Sequence, residues 1–158
     1  MNRKEINAMT DEELCVKAAE LSGWKPPTGE FDWVPDHTMQ CDPGGWCYYT
    51  ISDDWTERKI PSSEFTSFYF WHTDDGQART DGTPDYLNNI EDAWKLTNYV
   101  PGCRWSVYEL DECGWAAVVM GKIEPINGHT TWDVVAESGP DTAPRAITKA
   151  FIMAMENE

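Results

Sequence analysis

Apolar and polar positions alternate with helical periodicity near the amino end of the chain. Thr10 and Glu13 have the spacing of a capping box, which predicts a helix from Asp11 to about Ser22. Gly23 is placed to end this helix in the left-handed conformation. The predicted buried stripe consists of Leu14, Ala18 and Leu21. Residues 1–9 are predicted to be a loose leader.

A second amphipathic helix is predicted within the segment from Pro84 to Trp94. Asn88 is expected to cap it, with the Glu91 carboxylate reaching back in a capping box. One face of the helix then carries Ile90, Ala93, Trp94 and Thr97. The polar residues fit capping and first-turn roles, so we expect the active surface of the protein to lie elsewhere.

The last predicted helix begins near Thr142, with Pro144 in its first turn, where a missing N–H costs nothing. Its apolar positions form one continuous face. They are Ala146, Ile147, Ala150, Phe151 and Ala154. The small alanines on this face allow a close approach to a sheet.

Short β-strands are predicted between the helices. In the aromatic, turn-rich region 24–82 the candidates are Phe31 to Val34, Trp46 to Ser52 and Phe65 to Trp71. Asp74 to Gly82 is expected to be an exposed loop and the best candidate for a mobile segment. In the region 83–158, Arg104 to Leu110 and Trp115 to Met120 form a predicted hairpin, followed by a strand from Thr131 to Ala136.

These elements favour an α+β fold in which three helices cover a mainly antiparallel sheet. A parallel doubly wound sheet is disfavoured because its strand, glycine-rich turn and helix units are missing. The chain of 158 residues suits a single domain with a self-sufficient core.

Charge narrows the choice of partners. The chain has 28 acidic and 12 basic residues, a net charge of -16. General binding to nucleic acid is therefore disfavoured, whereas an acidic face could dock on a basic protein. No apolar run approaches the ~20 residues of a membrane helix, so no membrane association is predicted. Five cysteines behind a polar amino end, with no signal peptide, predict reduced thiols in a cytoplasm.

Metal and phosphate chemistry find little support in the sequence. His37, Cys41 and Cys47 lie within eleven residues, but their spacing matches no common zinc pattern, and a loop with incidental thiols is favoured. No glycine-rich phosphate-binding motif occurs. We therefore predict no metal and no cofactor.

Two further places could carry chemistry. His72 precedes Asp74 and Asp75 at a strand end, where an acid–base pair could act, although no nucleophile is identifiable. Arg145 lies near the start of the last helix and is a candidate anion contact. The alternative for Arg145 is an ion pair with Asp141 or Glu137.

Nine tryptophans exceed common usage for a chain of this length. We expect most of them to pack the core, and a partly exposed excess would mark a binding face. The candidate binding surface consists of Trp46, Trp55, Trp71, His72, Asp74 and Asp75.

Four motifs resemble a known family in their order and spacing: the helix from Thr10 to Gly23, the segment from Asp85 to Leu96, the hairpin strand at Trp115, and the run from Thr142 to Ile147. They are similar to the phage ABA-sandwich domain family and the related NinX-type proteins of lambdoid phages. The resemblance implies a layered helix-sheet-helix sandwich and a phage origin, and no established activity. The stretch from Pro26 to Gly82 departs from the family pattern.

The expected function is that of a small phage accessory protein in the host bacterial cytoplasm. It is predicted to be a non-enzymatic binding protein that acts on a host protein with a basic surface, as an inhibitor or in counter-defence. One alternative is a sponge for a small nucleotide signal, held by stacked aromatic rings and arginines. A weaker alternative is a hydrolase that uses His72 with Asp74 and Asp75.

Overall fold

The computed structural model describes residues 2–28, 40–41, 44–50, 57–61, 64, 66–67, 70–79, 82–126 and 129–156. Within these residues the fold is α+β with antiparallel strands. The helices are α1 (Arg3–Asn7), α2 (Asp11–Leu21), α3 (Ile90–Lys95), which continues as a 3-10 helix (Leu96–Tyr99), and α4 (Ala143–Glu156). The three predicted helices are α2, α3 and α4, and the predicted count of three is not confirmed because α1 is an additional helix.

The described strands form three antiparallel groups. The first contains β1 (Gln40–Cys41), β2 (Trp46–Thr50) and β3 (Glu57–Pro61), and the second is the hairpin of β4 (Trp71–His72) and β5 (Ala78–Arg79). The third contains β6 (Arg104–Leu110), β7 (Gly114–Ile126) and β8 (His129–Glu137), with β7 in the centre.

The chain divides into two compact units. One consists of Met1–Ser22 and Thr83–Glu158, and the other of Gly23–Gly82. These boundaries agree with the limits of the aromatic region 24–82 within one residue. The organisation of the whole chain as a single domain stays a prediction.

The core of the first unit is built around α4. This helix contacts β7 and β8 and also contacts α2, α3 and the 3-10 helix. The predicted apolar face is confirmed, since Ala146, Ile147, Ala150, Phe151 and Ala154 are all buried. Thr148, Ile152 and Met153 are buried as well, so the apolar contacts of α4 extend around the helix.

The amino end differs from the predicted leader, because residues 3–7 form helix α1. The Asn2 side chain accepts the N–H groups of Lys4 and Glu5, and the Glu5 carboxylate accepts the Asn2 N–H at 2.7 Å. This capping box, absent from the sequence prediction, begins the helix and places Ile6 in the core. A local polar pattern thus orders a segment that looked unstructured.

Helix α2 confirms its predicted position and capping box, but its predicted buried stripe is confirmed only in part, because Leu21 is half-buried. The Thr10 hydroxyl accepts the Glu13 N–H at 3.2 Å, and the Glu13 carboxylate accepts the Thr10 N–H at 2.7 Å. Leu14 and Ala18 are fully buried. Gly23 follows the helix with φ 90°, the left-handed conformation expected of it.

Helix α3 begins one residue later than predicted. Asn89, rather than Asn88, is its N-cap and accepts the N–H groups of Glu91 at 2.9 Å and Asp92 at 3.4 Å. Asn88 instead donates its backbone N–H and its side-chain amide to Asp85 Oδ1. Asn88, which the sequence suggested as the cap of α3, is therefore bonded to Asp85 in the preceding turn.

The hairpin of β6 and β7 and the strand β8 are confirmed. The connecting turn has two residues with positive φ, Glu112 at 54° and Gly114 at 102°. A side chain at position 114 would place its Cβ 2.6 Å from the backbone oxygen of Asp141, so glycine is needed there.

The second unit agrees with the predicted strands only in part. β2 matches residues 46–50 of the predicted Trp46 to Ser52 strand, whereas Phe31 to Val34 lies outside the described residues. The predicted strand from Phe65 to Trp71 is wrong at residues 66–67, which are helical, and the Phe70 N–H donates to the Thr66 carbonyl at 3.0 Å. A short aromatic run is compatible with a strand or a helix, and in this segment the described residues form a helical turn.

Candidate functional site

The predicted acid–base group lies in the β4–β5 hairpin. His72 Nδ1 is 3.1 Å from the backbone oxygen of Phe70, to which it can donate. Asp74 pairs with Lys25 Nζ at 2.5 Å. The carboxylates of Asp74 and Asp75 are both exposed. The described contacts therefore give Asp74 a partner other than the imidazole.

Asp75 serves the turn of the same hairpin. Its carboxylate accepts the Thr73 hydroxyl, and it accepts Gln77 Nε2 at 3.2 Å. The hydrogen bond from Thr73 makes the largest contribution to lowering the pKa of Asp75 below its ordinary value, and that from Gln77 acts in the same direction. The segment predicted as an exposed loop from Asp74 to Gly82 thus contains a turn and the strand β5. Asp75 is bonded as a turn residue rather than as an imidazole partner.

The three tryptophans of the predicted binding surface differ in setting. Trp46 is partly exposed, and Lys59 Nζ lies 4.2 Å from its ring centroid. Trp71 is half-buried in β4. Trp55 lies outside the described residues. Trp46 therefore meets a cation of its own chain rather than presenting an unoccupied ring face.

Arg145 is engaged in ion pairs, as the alternative interpretation expected for Asp141, and its role as an anion contact stays a prediction. Its Nε lies 3.0 Å from Asp141 Oδ1, and its second contact is with Asp11, at 2.8 Å. Lys149 Nζ reaches the other oxygen of Asp141 at 2.7 Å and Asn7 Oδ1 at 3.1 Å. The cluster joins α1, α2 and α4, so its charges support packing.

The electrostatics of this cluster explain why it stays ionised. Burial alone would raise the pKa of Asp141, but hydrogen bonds from Lys149 and the Thr142 N–H, with the charges of Lys149 and Arg145, lower it overall. Burial would lower the pKa of Arg145, and its bond to Asp11 and the charge of Asp141 raise it instead. A free anion would compete with both carboxylates for Arg145.

The Cys15 thiol is not activated for nucleophilic chemistry. Cys15 is half-buried, and burial followed by the charge of Asp85 raises its pKa. Cys103 is half-buried and Cys113 is exposed, and neither is in a disulfide bond. Cys41 and Cys47 are opposite each other in the register of β1 and β2, whereas His37 lies outside the described residues. Among described side chains, no group of three metal-ligating residues occurs.

The most exposed aromatic surface of the first unit lies on α3. Ile90 and Trp94 are 47% and 50% exposed. They line an open groove of about 340 Å³ together with Glu91, Lys95 and Asn98. Positions i, i+1, i+4, i+5 and i+8 share one side of a helix, so this side of α3 and the 3-10 helix faces outward.

The inward side of α3 explains this orientation. Ala93 and Leu96 are fully buried, Asp92 is 8% exposed, and α3 contacts α4. With these residues directed inward, helical geometry turns Ile90 and Trp94 away from α4. The groove is thus a consequence of how α3 packs.

The two charged residues that line the groove, Lys95 and Glu91, differ in whether their charge is paired. Lys95 Nζ lies 2.8 Å from Asp92 Oδ1, so its charge has a partner within the helix. Glu91 is exposed, and among the described residues its carboxylate has no hydrogen-bond or ion-pair partner. The groove therefore combines apolar surface with one available negative charge.

The sequence predicted helix α3, but the active surface was expected outside it. The overlooked signal is the series Ala93, Leu96 and Val100, spaced as i, i+3 and i+7 and all buried. This second apolar series competes with Ile90 and Trp94 for the core. A helix with two such series exposes one of them.

Comparison with known proteins adds no family to these observations: no family model, no curated protein and no solved structure matches the chain. The resemblance to phage proteins stays a prediction. Among the described residues, no helix is long and apolar enough to cross a membrane.

Proposed function

We propose that this protein is a non-enzymatic binding protein that acts on a partner protein with a basic surface. The observation that carries the proposal is the groove on α3, where Ile90 and Trp94 are each about half exposed. Large apolar side chains exposed side by side are typical of protein-binding surfaces, and tryptophan is enriched among the residues that dominate binding energy.

The charge of the chain supports a basic partner. A net charge of -16 attracts cationic surfaces over a distance of about 10 Å at ordinary ionic strength. At the groove itself, Glu91 supplies an available carboxylate while Lys95 is paired with Asp92. Long-range attraction and the local charge therefore favour the same kind of partner.

The biological setting of the proposal comes from the sequence motifs. Their resemblance to phage ABA-sandwich and NinX-type proteins supports a phage accessory protein in the host bacterial cytoplasm, and for this protein we propose an inhibitory or counter-defence role. The same resemblance supports a layered helix-sheet-helix sandwich.

The alternatives draw less support from the described residues. A nucleotide sponge needs an arginine and an aromatic ring that are both available to the ligand. Arg145 is already paired with two carboxylates, and Arg104 already stacks on the ring of Trp132. A hydrolase based on His72 needs a carboxylate to orient the imidazole, and Asp74 and Asp75 have other partners.

Paired surface variants test the proposal. Wild-type protein, Ile90→Ser/Trp94→Ser, and the control Trp115→Ser/Val134→Ser are each used to capture partners from host extract. The control removes two comparably exposed apolar side chains from the β6–β8 sheet. We expect one partner to be retained by wild type and control, lost by the α3 variant, and released from wild type by added salt.

Thermal unfolding of all three proteins establishes that the variants fold. Equal capture by the two variants, or capture that salt does not weaken, would contradict the proposal.

A further inference from the structure

Two tryptophans of this chain are already covered by cations of the chain itself. Lys59 Nζ lies 4.2 Å from the ring centroid of Trp46, and the Arg104 guanidinium lies 4.3 Å from that of Trp132. These are cation–π distances. Trp94 differs, because it is half exposed and no cation of the described residues lies over its ring.

The surroundings of Trp94 contain the second element of a cation site. Glu91 precedes Trp94 by three residues, a spacing that brings the two side chains together on a helix surface. Its carboxylate has no partner among the described residues. The nearest basic residue along the helix, Lys95, is occupied by Asp92 at 2.8 Å.

From these observations we propose that Trp94 and Glu91 together receive an arginine side chain of the partner. The guanidinium stacks on the exposed indole and donates hydrogen bonds to the Glu91 carboxylate, and a neighbouring apolar residue of the partner packs against Ile90. The inference rests on the proposed function and specifies the chemistry of the partner at the groove.

Arginine fits this site better than lysine. Its planar guanidinium stacks on aromatic rings, carries five donors, and is less strongly hydrated than an ammonium group. Glu91 can accept two parallel hydrogen bonds from such a fork while the flat face stays on Trp94. Lysine would supply the charge without the stacking plane.

Another place on the molecule provides an internal control. Glu109 and Trp115 are directly opposite each other on β6 and β7, and both are exposed. They offer the same pair of chemical groups as Glu91 and Trp94, and neither lines the groove on α3. If an acidic residue beside a tryptophan were sufficient, both places would bind arginine equally.

The probe is the capped tripeptide acetyl-Leu-Arg-Leu-amide, compared with its citrulline counterpart, which keeps the shape and removes the charge. Binding is followed by NMR through the indole N–H signal of Trp94, assigned with Trp94→Phe. We expect the arginine peptide to shift this signal and the citrulline and lysine peptides to bind several-fold more weakly. Glu91→Gln should weaken arginine binding by about two- to fivefold, and Glu109→Gln should leave it unchanged.

Equal binding of the arginine and citrulline peptides, or an unchanged affinity in Glu91→Gln, would overturn the inference. Equal binding of the lysine peptide would overturn the choice of arginine. In either case, partner capture that still requires Ile90 and Trp94 would leave the proposed function standing. Partner capture independent of both residues would instead remove the proposed function, whatever the peptides do.

Discussion

Helices α4 and α3 both carry apolar residues at helical spacing, yet they use them in opposite ways. In α4 the apolar residues from Ala146 to Ala154 are buried, and Phe151 has no exposed surface. In α3, Ile90 and Trp94 are about half exposed while Asp92 is nearly buried. Periodicity shows which residues share a side of a helix, but contacts with neighbouring elements decide which side is inward.

The difference follows from the neighbours of each helix. α4 contacts the sheet as well as α2, α3 and the 3-10 helix, so it can bury residues around its axis. α3 is six residues long and packs on α4, and its small Ala93 is fully buried, as is Leu96 at the start of the 3-10 helix. The larger side chains of Ile90 and Trp94 are thereby left for another partner.

The largest expected effect is the difference in stability lost when a large apolar side chain is removed from each helix. Phe151→Ala should lower the free energy of unfolding by about 3–5 kcal/mol, because it leaves a cavity in a fully buried site. Trp94→Ala on α3 should change it by less than about 1 kcal/mol, because half of the side chain is already in water. Urea unfolding followed by far-UV circular dichroism measures both.

Similar losses in the two variants would contradict the comparison, since they would mean that Trp94 is a core residue. Phe151→Leu provides the matched control for α4. It keeps the site apolar and fills most of the volume, so a much smaller loss is expected.

The ion pairs at α4 should also contribute more to stability than the ion pair of α3. Asp141 pairs with Arg145 and Lys149, two cations that are largely shielded, whereas the nearly buried Asp92 of α3 pairs with the exposed Lys95. Asp141→Asn should cost about 1–3 kcal/mol, between the values for buried and surface pairs, and Lys95→Met about 0–1 kcal/mol. Chemical denaturation at neutral pH measures both, and equal costs would contradict the difference in shielding.

Acid titration sharpens this prediction. The folded protein holds the pKa of Asp141 below its ordinary value of 3.8. Its contribution to stability is therefore present above that value and is lost as the pH falls through the lower pKa of the folded state. We expect the stability difference between wild type and Asp141→Asn to shrink below about pH 4. A difference that stayed constant into strong acid would show that the charge of Asp141 does not stabilise the fold.

The sequence predicted the elements whose causes are local. The capping box at Thr10, the turn at Gly114 and the apolar series of α4 each act within a few residues, and the structure bears them out. The network around Asp141 could not be predicted in full, because Asp11 and Asn7 reach it through tertiary packing. The groove on α3 depends on the contact with α4, and single-helix periodicity cannot choose between two apolar series.

A small effect is expected where α3 begins. Asn89→Ala should destabilise the protein by about 1 kcal/mol, because the N–H groups of Glu91 and Asp92 lose their acceptor. Asn88→Ala should cost clearly less, since it removes only an exposed amide donated to Asp85. Hydrogen exchange of the α3 amides, measured with urea unfolding, distinguishes the two variants. A larger loss for Asn88→Ala would move the start of α3 to the position that the sequence suggested, and with it the side of the helix that presents Trp94.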